Sequence, residues 1–171
     1  MATLLFIYNF LMIAALFLLW PIWISFLVRR KRQGRPFSQR LFMESIPGAD
    51  VRDSDRSVGQ SIWVHALSVG EVLSAEPLVK AMAQRYGAEN LVFTTSTRTG
   101  FQTAERAIAA HVYCLRYFPY DILFSVKRAL AVIQPQLVVI VETDIWPNFL
   151  YELKKRRIPV QLVNARLSAR S

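Results

Sequence analysis

The sequence has few of the residues that hold metals or form disulfides. Among its 171 residues there is one cysteine, Cys114, and there are two histidines, His65 and His111. A single cysteine cannot form a disulfide within the chain, so Cys114 is typical of a small core residue in a reducing compartment. The spacing of these three residues is not that of metal ligands. We therefore expect no metal site.

The sequence also lacks the glycine patterns that bind nucleotide phosphates. It contains six glycines, but no Gly-x-Gly-x-x-Gly follows its first apolar strand and no Gly-x-x-x-x-Gly-Lys occurs anywhere. Those patterns supply the backbone N–H groups that surround a dinucleotide or a triphosphate. No serine nucleophile elbow is present either. Dinucleotide-binding enzymes, P-loop enzymes and serine hydrolases are thus disfavoured, and we expect no cofactor.

Charged residues are absent from residues 1–28, where residues 4–28 form one apolar stretch. This stretch is long enough to cross a bilayer as a helix of about 20 residues. Basic residues come only after it, whereas a cleaved signal peptide would carry them before its apolar core. We predict a transmembrane anchor over residues 1–28, with the N-terminus outside and the rest of the chain in the cytoplasm.

The net charge of +9 comes mainly from the segment after this anchor. Six of the 21 basic residues lie in residues 29–40, whereas all 12 acidic residues lie beyond residue 43. This block is typical of membrane orientation, and no basic face interleaved with aromatics indicates a nucleic-acid partner. Residues 29–60 are interpreted as a basic juxtamembrane linker in which residues 40–43 could contact lipid.

Apolar runs alternate with amphipathic stretches from residue 61 onward. The predicted strands are residues 61–66, 90–95, 111–115, 137–141 and 160–163. Of the predicted helices between them, the first ends near residue 86, and the other three cover residues 100–110, 121–133 and 147–157. Strands with continuous Val, Ile and Leu are typical of a parallel sheet covered on both faces. We predict an α/β domain over residues 61–171, a Rossmann-like doubly wound parallel sheet with strand order 3-2-1-4-5.

The first strand leads through Ser68 and Gly70 to Glu71, at the carboxyl edge of the predicted sheet. An acid in a first helical turn is favoured by the helix dipole alone. Pro77 leaves two alternatives open: the helix begins near Leu73 and Glu71 lies in a loop, or an earlier helix is kinked at Pro77.

A second glutamate, Glu142, directly follows the fourth predicted strand. In the predicted order this strand is a neighbour of the first, so Glu71 and Glu142 reach the crevice where the winding of the sheet reverses. Two converging carboxylates suit removal of a proton from a hydroxyl by one and orientation or charge balance by the other.

The loop after the second strand is rich in hydroxyl groups. Its residues Thr97, Arg98, Thr99 and Gly100 open the next helix and could hold a phosphate or a sugar through hydroxyl, N–H and guanidinium groups. The alternative is ordinary helix capping by Ser and Thr. Asp121, after the third strand, is interpreted as the N-cap of the helix that follows it.

Several segments together resemble the family of 3-deoxy-D-manno-octulosonic acid (Kdo) transferases. They are Trp-Val-His-Ala at 63–66, Ser-Val-Gly-Glu at 68–71, Thr-Arg-Thr-Gly at 97–100, Pro-Tyr-Asp at 119–121, Glu-Thr-Asp-Ile-Trp-Pro-Asn at 142–148 and Asn-Ala-Arg-Leu-Ser at 164–168. Arg98 departs from the resemblance, because the family commonly has proline between the two threonines.

The resemblance implies the N-terminal half of an inverting, metal-independent GT-B glycosyltransferase of the bacterial inner membrane. It implies transfer of Kdo from CMP-Kdo to the lipid A precursor, with Glu71 as general base and Glu142 as transition-state stabiliser. Ser68, Gly70 and the 97–100 loop would then bind the acceptor.

The family continues into a second, donor-binding domain, whereas this sequence stops at residue 171. It is therefore interpreted as an acceptor half, inactive alone, whose donor domain could be encoded separately. The alternative is an inactive membrane-tethered module that binds an anionic lipid or a protein partner.

Overall fold

A computed structural model describes residues 2–18, 39–42, 61–142 and 145–164. The chain divides into two compact units, Met1–Phe37 and Ser38–Ser171. The first unit contains helix α1, Ala2–Leu18. The second contains an α/β domain.

Five parallel strands form the sheet of the second unit. They are β1 Ser61–Ala66, β2 Leu91–Thr95, β3 Cys114–Tyr117, β4 Pro135–Val141 and β5 Val160–Val163. The strand order is β3-β2-β1-β4-β5, which confirms the order predicted from the sequence. All five carboxyl ends therefore lie at the same edge of the sheet.

Four helices connect these strands. They are α2 Val69–Tyr86, α3 Arg98–Ala107, α4 Leu123–Ile133 and α5 Pro147–Lys155, with short 3-10 turns at Ala88–Asn90 and Ala109–His111. Alternate residues of each strand point to opposite faces of the sheet, so each face has its own core. Trp63 and Ile140 pack with α4 and α5 on one face. Val64 and Val139 pack with α2 on the other. The domain is thus three layers, helix, sheet and helix.

The third strand lies further along the chain than residues 111–115. It runs from Cys114 to Tyr117 and pairs with β2 through Thr94 and Arg116, among other positions. The predicted strand ends at residue 115, one position before Arg116. In the structure Arg116 is buried, with its guanidinium over the ring of Phe42, so the domain accommodates this charge within the strand.

The segment Gln39–Phe42 contributes to the core of the second unit. The side chain of Phe42 is 1% exposed and packs beside Trp63 and Phe118. The backbone carbonyl of Arg40 accepts hydrogen bonds from Tyr120 N and from the Ser125 hydroxyl. The prediction that Phe42 contacts lipid was therefore wrong, because its ring is covered by the domain. Residue 43 and the rest of the predicted linker lie outside the described residues.

The predicted transmembrane anchor is not confirmed by the structure. Of the helices in the described part of the chain, none has both the length and the apolar character needed to cross a bilayer. Helix α1 has 17 residues, all uncharged. Residues 19–28 of the predicted anchor lie outside the described residues.

Candidate functional site

The candidate site lies at the carboxyl edge of the three central strands. In the sheet β1 pairs with β2 through Ala66 and Thr95, and with β4 through His65 and Ile140. The last residues of the three strands therefore lie side by side, and the loops that follow them meet above the same edge. This is the switch point of the sheet, where ligands of open α/β folds bind.

Glu71 lies in the first turn of α2, since the helix begins at Val69 with Ser68 as its N-cap. The loop alternative for Glu71 was thus wrong, and Pro77 is inside the helix. The Glu71 side chain is 7% exposed. Its Oε2 accepts the backbone N–H of Leu67, and its Oε1 accepts the Ser68 hydroxyl at 3.2 Å. These bonds hold the carboxylate directly above the end of β1.

The same contacts give Glu71 a structural role. Ser68 and Glu71 are the N-cap and N3 residues of α2, and the Glu71 carboxylate reaches back to the N–H of Leu67, the residue before the N-cap. The Ser68 hydroxyl bonds to Glu71 and does not cap a backbone N–H, so this is a variant of the capping box. A capping role and a chemical role are compatible, because capping fixes the position of the carboxylate. The roles are separable by substitution, since glutamine can cap but cannot take up a proton.

Glu142 follows β4 and is half-buried. Its φ of 67° lies in the left-handed region that non-glycine residues seldom adopt. The backbone N–H of Glu142 donates to Val163 O at 2.8 Å, which ties this backbone to the last residue of β5. Strained backbone is often found at functional sites, where the surroundings hold it in place. Four other non-glycine residues in the described part of the chain share a positive φ, so this conformation shows how Glu142 is held at the end of β4 and does not by itself give it a function.

Leu67 connects the residues of this site through its backbone. Its N–H bonds to Glu71, and its carbonyl oxygen accepts bonds from Ser96 N and Thr97 N, each at 3.3 Å. The strands β1 and β4 pair as far as His65 and Ile140, and Leu67 and Glu142 each follow two residues later. The structure thus brings the start of α2, the loop after β2 and the end of β4 to one place.

The loop after β2 forms the N-terminus of α3 as the sequence indicated. Thr97 is the N-cap, and its hydroxyl accepts the N–H of Gly100 at 3.0 Å. The structure therefore shows the capping role for Thr97, as the alternative interpretation had it. Arg98 and Thr99 are exposed. Arg98 has the longest side chain of residues 97–100.

The two glycines of the candidate site differ in what surrounds them. A Cβ at Gly100 would lie 2.6 Å from Thr95 Oγ1 and 2.7 Å from Thr97 Oγ1, so packing excludes a larger residue. A Cβ at Gly70 would meet no atom within 4 Å. Nothing in the described structure requires glycine at position 70, and glycine in a helix costs about 1 kcal/mol relative to alanine. A close approach by a ligand would account for it.

Tyr117, the last residue of β3, is a neighbour of this loop that the sequence did not single out. Its ring stacks on Phe101 of α3 with centroids 4.5 Å apart. Burial raises the pKa of the Tyr117 phenol above its ordinary value of 10.0, while the positive charge of Arg98 lowers it. Arg98 is thus close enough to Tyr117 for their charges to interact. Nothing in the sequence of β3, Cys-Leu-Arg-Tyr, indicated that Tyr117 would lie beside this loop.

Asp121 does not cap the helix that follows it, so that prediction was wrong. The N-cap of α4 is Ile122, which makes no side-chain capping bond. The Asp121 carboxylate instead accepts the N–H groups of Asn148, at 3.1 Å, and Phe149, at 2.9 Å. These are the second and third residues of α5, so the tertiary structure brings the cap from a loop elsewhere in the sequence.

His65 is fully buried in β1 and packs as a structural residue. Its Nδ1 lies 3.1 Å from both the carbonyl and the hydroxyl oxygen of Thr94, and its ring stacks on Phe118. Among the described residues no three His, Cys, Asp or Glu side chains cluster as metal ligands would. Residues 143, 144 and 165–168, part of the segments that carry the family resemblance, lie outside the described residues.

Comparison with known proteins identifies a matching family and several relatives. Residues 29–171 match the family described as 3-deoxy-D-manno-octulosonic-acid transferase. The enzyme of that name from Haemophilus influenzae is 43% identical over 112 residues, which are 66% of this chain and 26% of that protein. Its namesake from Bordetella pertussis is 31% identical over 154 residues, 88% of this chain and 35% of that protein.

A third relative has two activities in its name. The bifunctional glycosyltransferase/methyltransferase of Fusobacterium nucleatum is 32% identical over 139 residues, which are 80% of this chain and 22% of that protein. The chain thus spans about a fifth to a third of the length of these relatives. The family match covers most of the chain, including both glutamates of the candidate site. The chain belongs to the 3-deoxy-D-manno-octulosonic acid transferase family.

Proposed function

We propose that this chain forms the acceptor-binding part of an inverting GT-B glycosyltransferase that transfers Kdo from CMP-Kdo to the lipid A precursor. The observation that carries the proposal is the position of Glu71 and Glu142 at the ends of two hydrogen-bonded neighbouring strands. Family membership supplies the donor and acceptor classes, and the site supplies the groups for the chemistry.

Glu71 is the proposed general base. Its carboxylate takes the proton from the acceptor sugar hydroxyl while the hydroxyl oxygen forms a bond to the anomeric carbon of Kdo. The bond from that carbon to the phosphate oxygen breaks, and CMP leaves with the electron pair. The bonds from Leu67 N–H and the Ser68 hydroxyl fix the base before the substrate arrives. Such preorganisation places base and hydroxyl at a reactive distance.

Glu142 is the proposed transition-state stabiliser. Sugar transfer passes through a state in which positive charge develops on the ring of the donor, as in glycoside hydrolysis. A half-buried carboxylate at the switch point stabilises that charge electrostatically. The bond from Glu142 N–H to Val163 O fixes the backbone that carries it.

Acceptor binding is proposed for the starts of α2 and α3. Ser68 and Gly70 open α2, and Thr97, Arg98, Thr99 and Gly100 open α3. N–H groups at a helix N-terminus and the positive end of its dipole attract anions, and the exposed Arg98 guanidinium adds a phosphate-binding fork. The phosphorylated head of the acceptor has the matching charge.

Attachment to the bacterial inner membrane is proposed for the N-terminal unit, with its N-terminus in the periplasm and the α/β domain in the cytoplasm. The support is the uncharged helix α1, which exposes large apolar side chains, and the basic block that follows in the sequence. The exposed side chains are Phe6, Ile7, Phe10, Leu11 and Leu18. The partners are then the membrane, the lipid A precursor and a donor-binding domain, encoded separately or not. No nucleic acid, metal or cofactor is proposed.

A reconstituted transfer assay tests the proposal. Residues 1–171 are incubated with CMP-Kdo and lipid A precursor in detergent, alone and with a separately expressed donor-binding domain of a relative. We expect transfer only in the second case, because the reaction needs both substrates in one cleft. Transfer by residues 1–171 alone would place donor binding within them. Acceptor binding without transfer in either arm would support the inactive binding module.

Substitution of Glu71 by glutamine then tests the base. The variant should lose about 10²- to 10⁴-fold in transfer rate and keep its affinity for the acceptor, because the amide fills the same space but cannot take up a proton. Glu76→Gln is the matched control, a glutamate of the same helix that pairs with Lys80 away from the sheet edge. Near-normal transfer by Glu71→Gln would leave Glu71 with a capping role alone.

A further inference from the structure

The segment that carries Glu142 is held at both of its ends by contacts with other parts of the chain. At one end the N–H of Glu142 donates to Val163 O in β5. At the other end α5 begins at Pro147, and the backbone N–H groups of the next two residues, Asn148 and Phe149, donate to the carboxylate of Asp121. Only residues 143–146 lie between these two ends. The position of α5 therefore limits where the backbone of Glu142 can lie.

Asp121 and Asn148 form a reciprocal pair between the loop after β3 and the first turn of α5. The Asp121 carboxylate receives the N–H of Asn148 at 3.1 Å, and the Asn148 side-chain amide donates to Asp121 O at 2.6 Å. Asp121 is 7% exposed and Asn148 is fully buried. Hydrogen bonds to a carboxylate in such a place are stronger than neutral ones in water. This pair is therefore a rigid link from the end of β3 to the start of α5.

An aromatic contact strengthens the same link. Phe118, just after β3, stacks on His65 at 4.0 Å and lies 5.3 Å from the ring of Trp146, the residue before α5. It also makes an edge contact with Phe149 at 5.0 Å. The loop after β3 thus contacts the residues on both sides of Pro147. All of these contacts are made between residues of the chain itself.

We propose that Asp121 is a positioning residue that holds Glu142 in its catalytic place by capping α5. The φ of 67° at Glu142 is unfavourable for a non-glycine residue and persists where the surroundings impose it. When the cap is lost, the start of α5 loosens and the backbone of Glu142 relaxes from this conformation. The inference rests on the proposed role of Glu142, and it adds Asp121 as a residue that acts without touching substrate.

Asp121→Asn tests the inference in the reconstituted transfer assay. The amide keeps one acceptor oxygen but turns an NH₂ group toward a backbone N–H, so the cap is broken with little change of volume. We expect kcat to fall about ten- to a hundredfold with the KM for the acceptor nearly unchanged, because a small displacement of a catalytic group has effects of this size. Asn148→Ala, which removes the other half of the pair, should act in the same direction.

A double substitution separates positioning from general loss of structure. If Asp121 acts through Glu142, Asp121→Asn should cost little in a Glu142→Gln background, because the group that it positions is already gone. If the double variant instead showed the product of the two single losses in kcat, the inference would be overturned. Glu142→Gln without any loss of its own would instead contradict the proposed function of Glu142, so the two failures are distinguishable.

Hydrogen exchange measured on the chain itself gives a readout that needs no activity. In Asp121→Asn the amide of Glu142 should exchange at least about tenfold faster, along with those of Asn148 and Phe149, as in local opening of one segment. Glu152→Gln is the matched control, since it alters a buried carboxylate of α5 that pairs with Arg156 beyond the first turn. Unchanged exchange at Glu142 in Asp121→Asn, or an equal change in Glu152→Gln, would refute the inference.

Discussion

The guanidinium carbon of Arg116 lies 5.0 Å from the centroid of the Phe42 ring. Phe42 therefore covers the charge that Arg116 brings into the edge strand β3. Phe42 is also packed in the core beside Phe118 and close to the loop that carries Asp121. The segment Gln39–Phe42 is thus part of the folding unit, and the first strand of the sheet is not the first element of the domain.

Replacement of Phe42 by alanine should destabilise the α/β domain by about 3–5 kcal/mol, because it leaves a cavity in the core and uncovers Arg116. The measurement is the free energy of unfolding in urea. Leu41→Ala is the control, since Leu41 is the adjacent residue and only half-buried, and it should cost clearly less. Equal effects of the two substitutions would contradict the packing of Phe42 in the core.

The two glycines of the candidate site should respond to alanine in opposite ways. Gly100→Ala should destabilise the domain by about 1–3 kcal/mol, since the new Cβ would overlap the hydroxyl groups of Thr95 and Thr97. Gly70→Ala should be neutral or stabilise by up to about 1 kcal/mol, because the Cβ enters open space within a helix.

Acceptor binding gives the second readout for the same pair. Gly70→Ala should weaken binding of the lipid A precursor in a direct titration even though the protein remains stable. Undiminished affinity would show that no ligand approaches the start of α2 closely.

Substitutions of Glu71 should separate its capping role from its proposed chemical role. Glu71→Ala should lower the free energy of unfolding by about 1–3 kcal/mol, because the half-buried N–H of Leu67 loses its acceptor. Glu71→Gln should change stability much less, since the amide oxygen can still accept that bond. Chemical denaturation of both variants, compared with their transfer rates, checks this. A large loss of stability in Glu71→Gln would make its activity uninformative.

The pKa of Tyr117 should report on the charges around the 97–100 loop. Arg98 lowers this pKa and Glu105 raises it, so Arg98→Gln should move it up and Glu105→Gln should move it down. Ultraviolet titration of tyrosinate, with Tyr117→Phe subtracted to isolate the one group, measures both shifts. Shifts of the same sign in the two variants would contradict this arrangement.

The raised pKa of Tyr117 also predicts how stability depends on pH. The folded protein holds the phenol proton more tightly than the unfolded chain, whose tyrosines titrate near pH 10. The resulting stability is fully present below about pH 10 and is lost as the pH rises through the folded pKa. Tyr117→Phe should therefore reduce the fall in the free energy of unfolding as the pH rises. Urea unfolding at about pH 9 and about pH 11, roughly one unit on either side of the ordinary tyrosine pKa, measures this.

The sequence was sufficient to predict most of the sheet. The strands Ser61–Ala66 and Val160–Val163 have the predicted bounds, and the strand order is the predicted one. This succeeded because buried parallel strands are runs of apolar residues, and because right-handed connections allow few orders. The positions of Glu71 and Glu142 at one edge followed from the order alone, since parallel strands end on the same side.

Contacts between segments distant in sequence decided the rest. The sequence could not show that Asp121 caps α5, because a capping residue usually precedes its own helix, and here the two are 27 positions apart. It could not show that Phe42 covers Arg116, or that Glu142 adopts a left-handed backbone, because both depend on what packs around them. Apolar patterning fixed the layers of this protein, while hydrogen bonds and ring contacts formed only in the folded chain decided how its carboxylates are held.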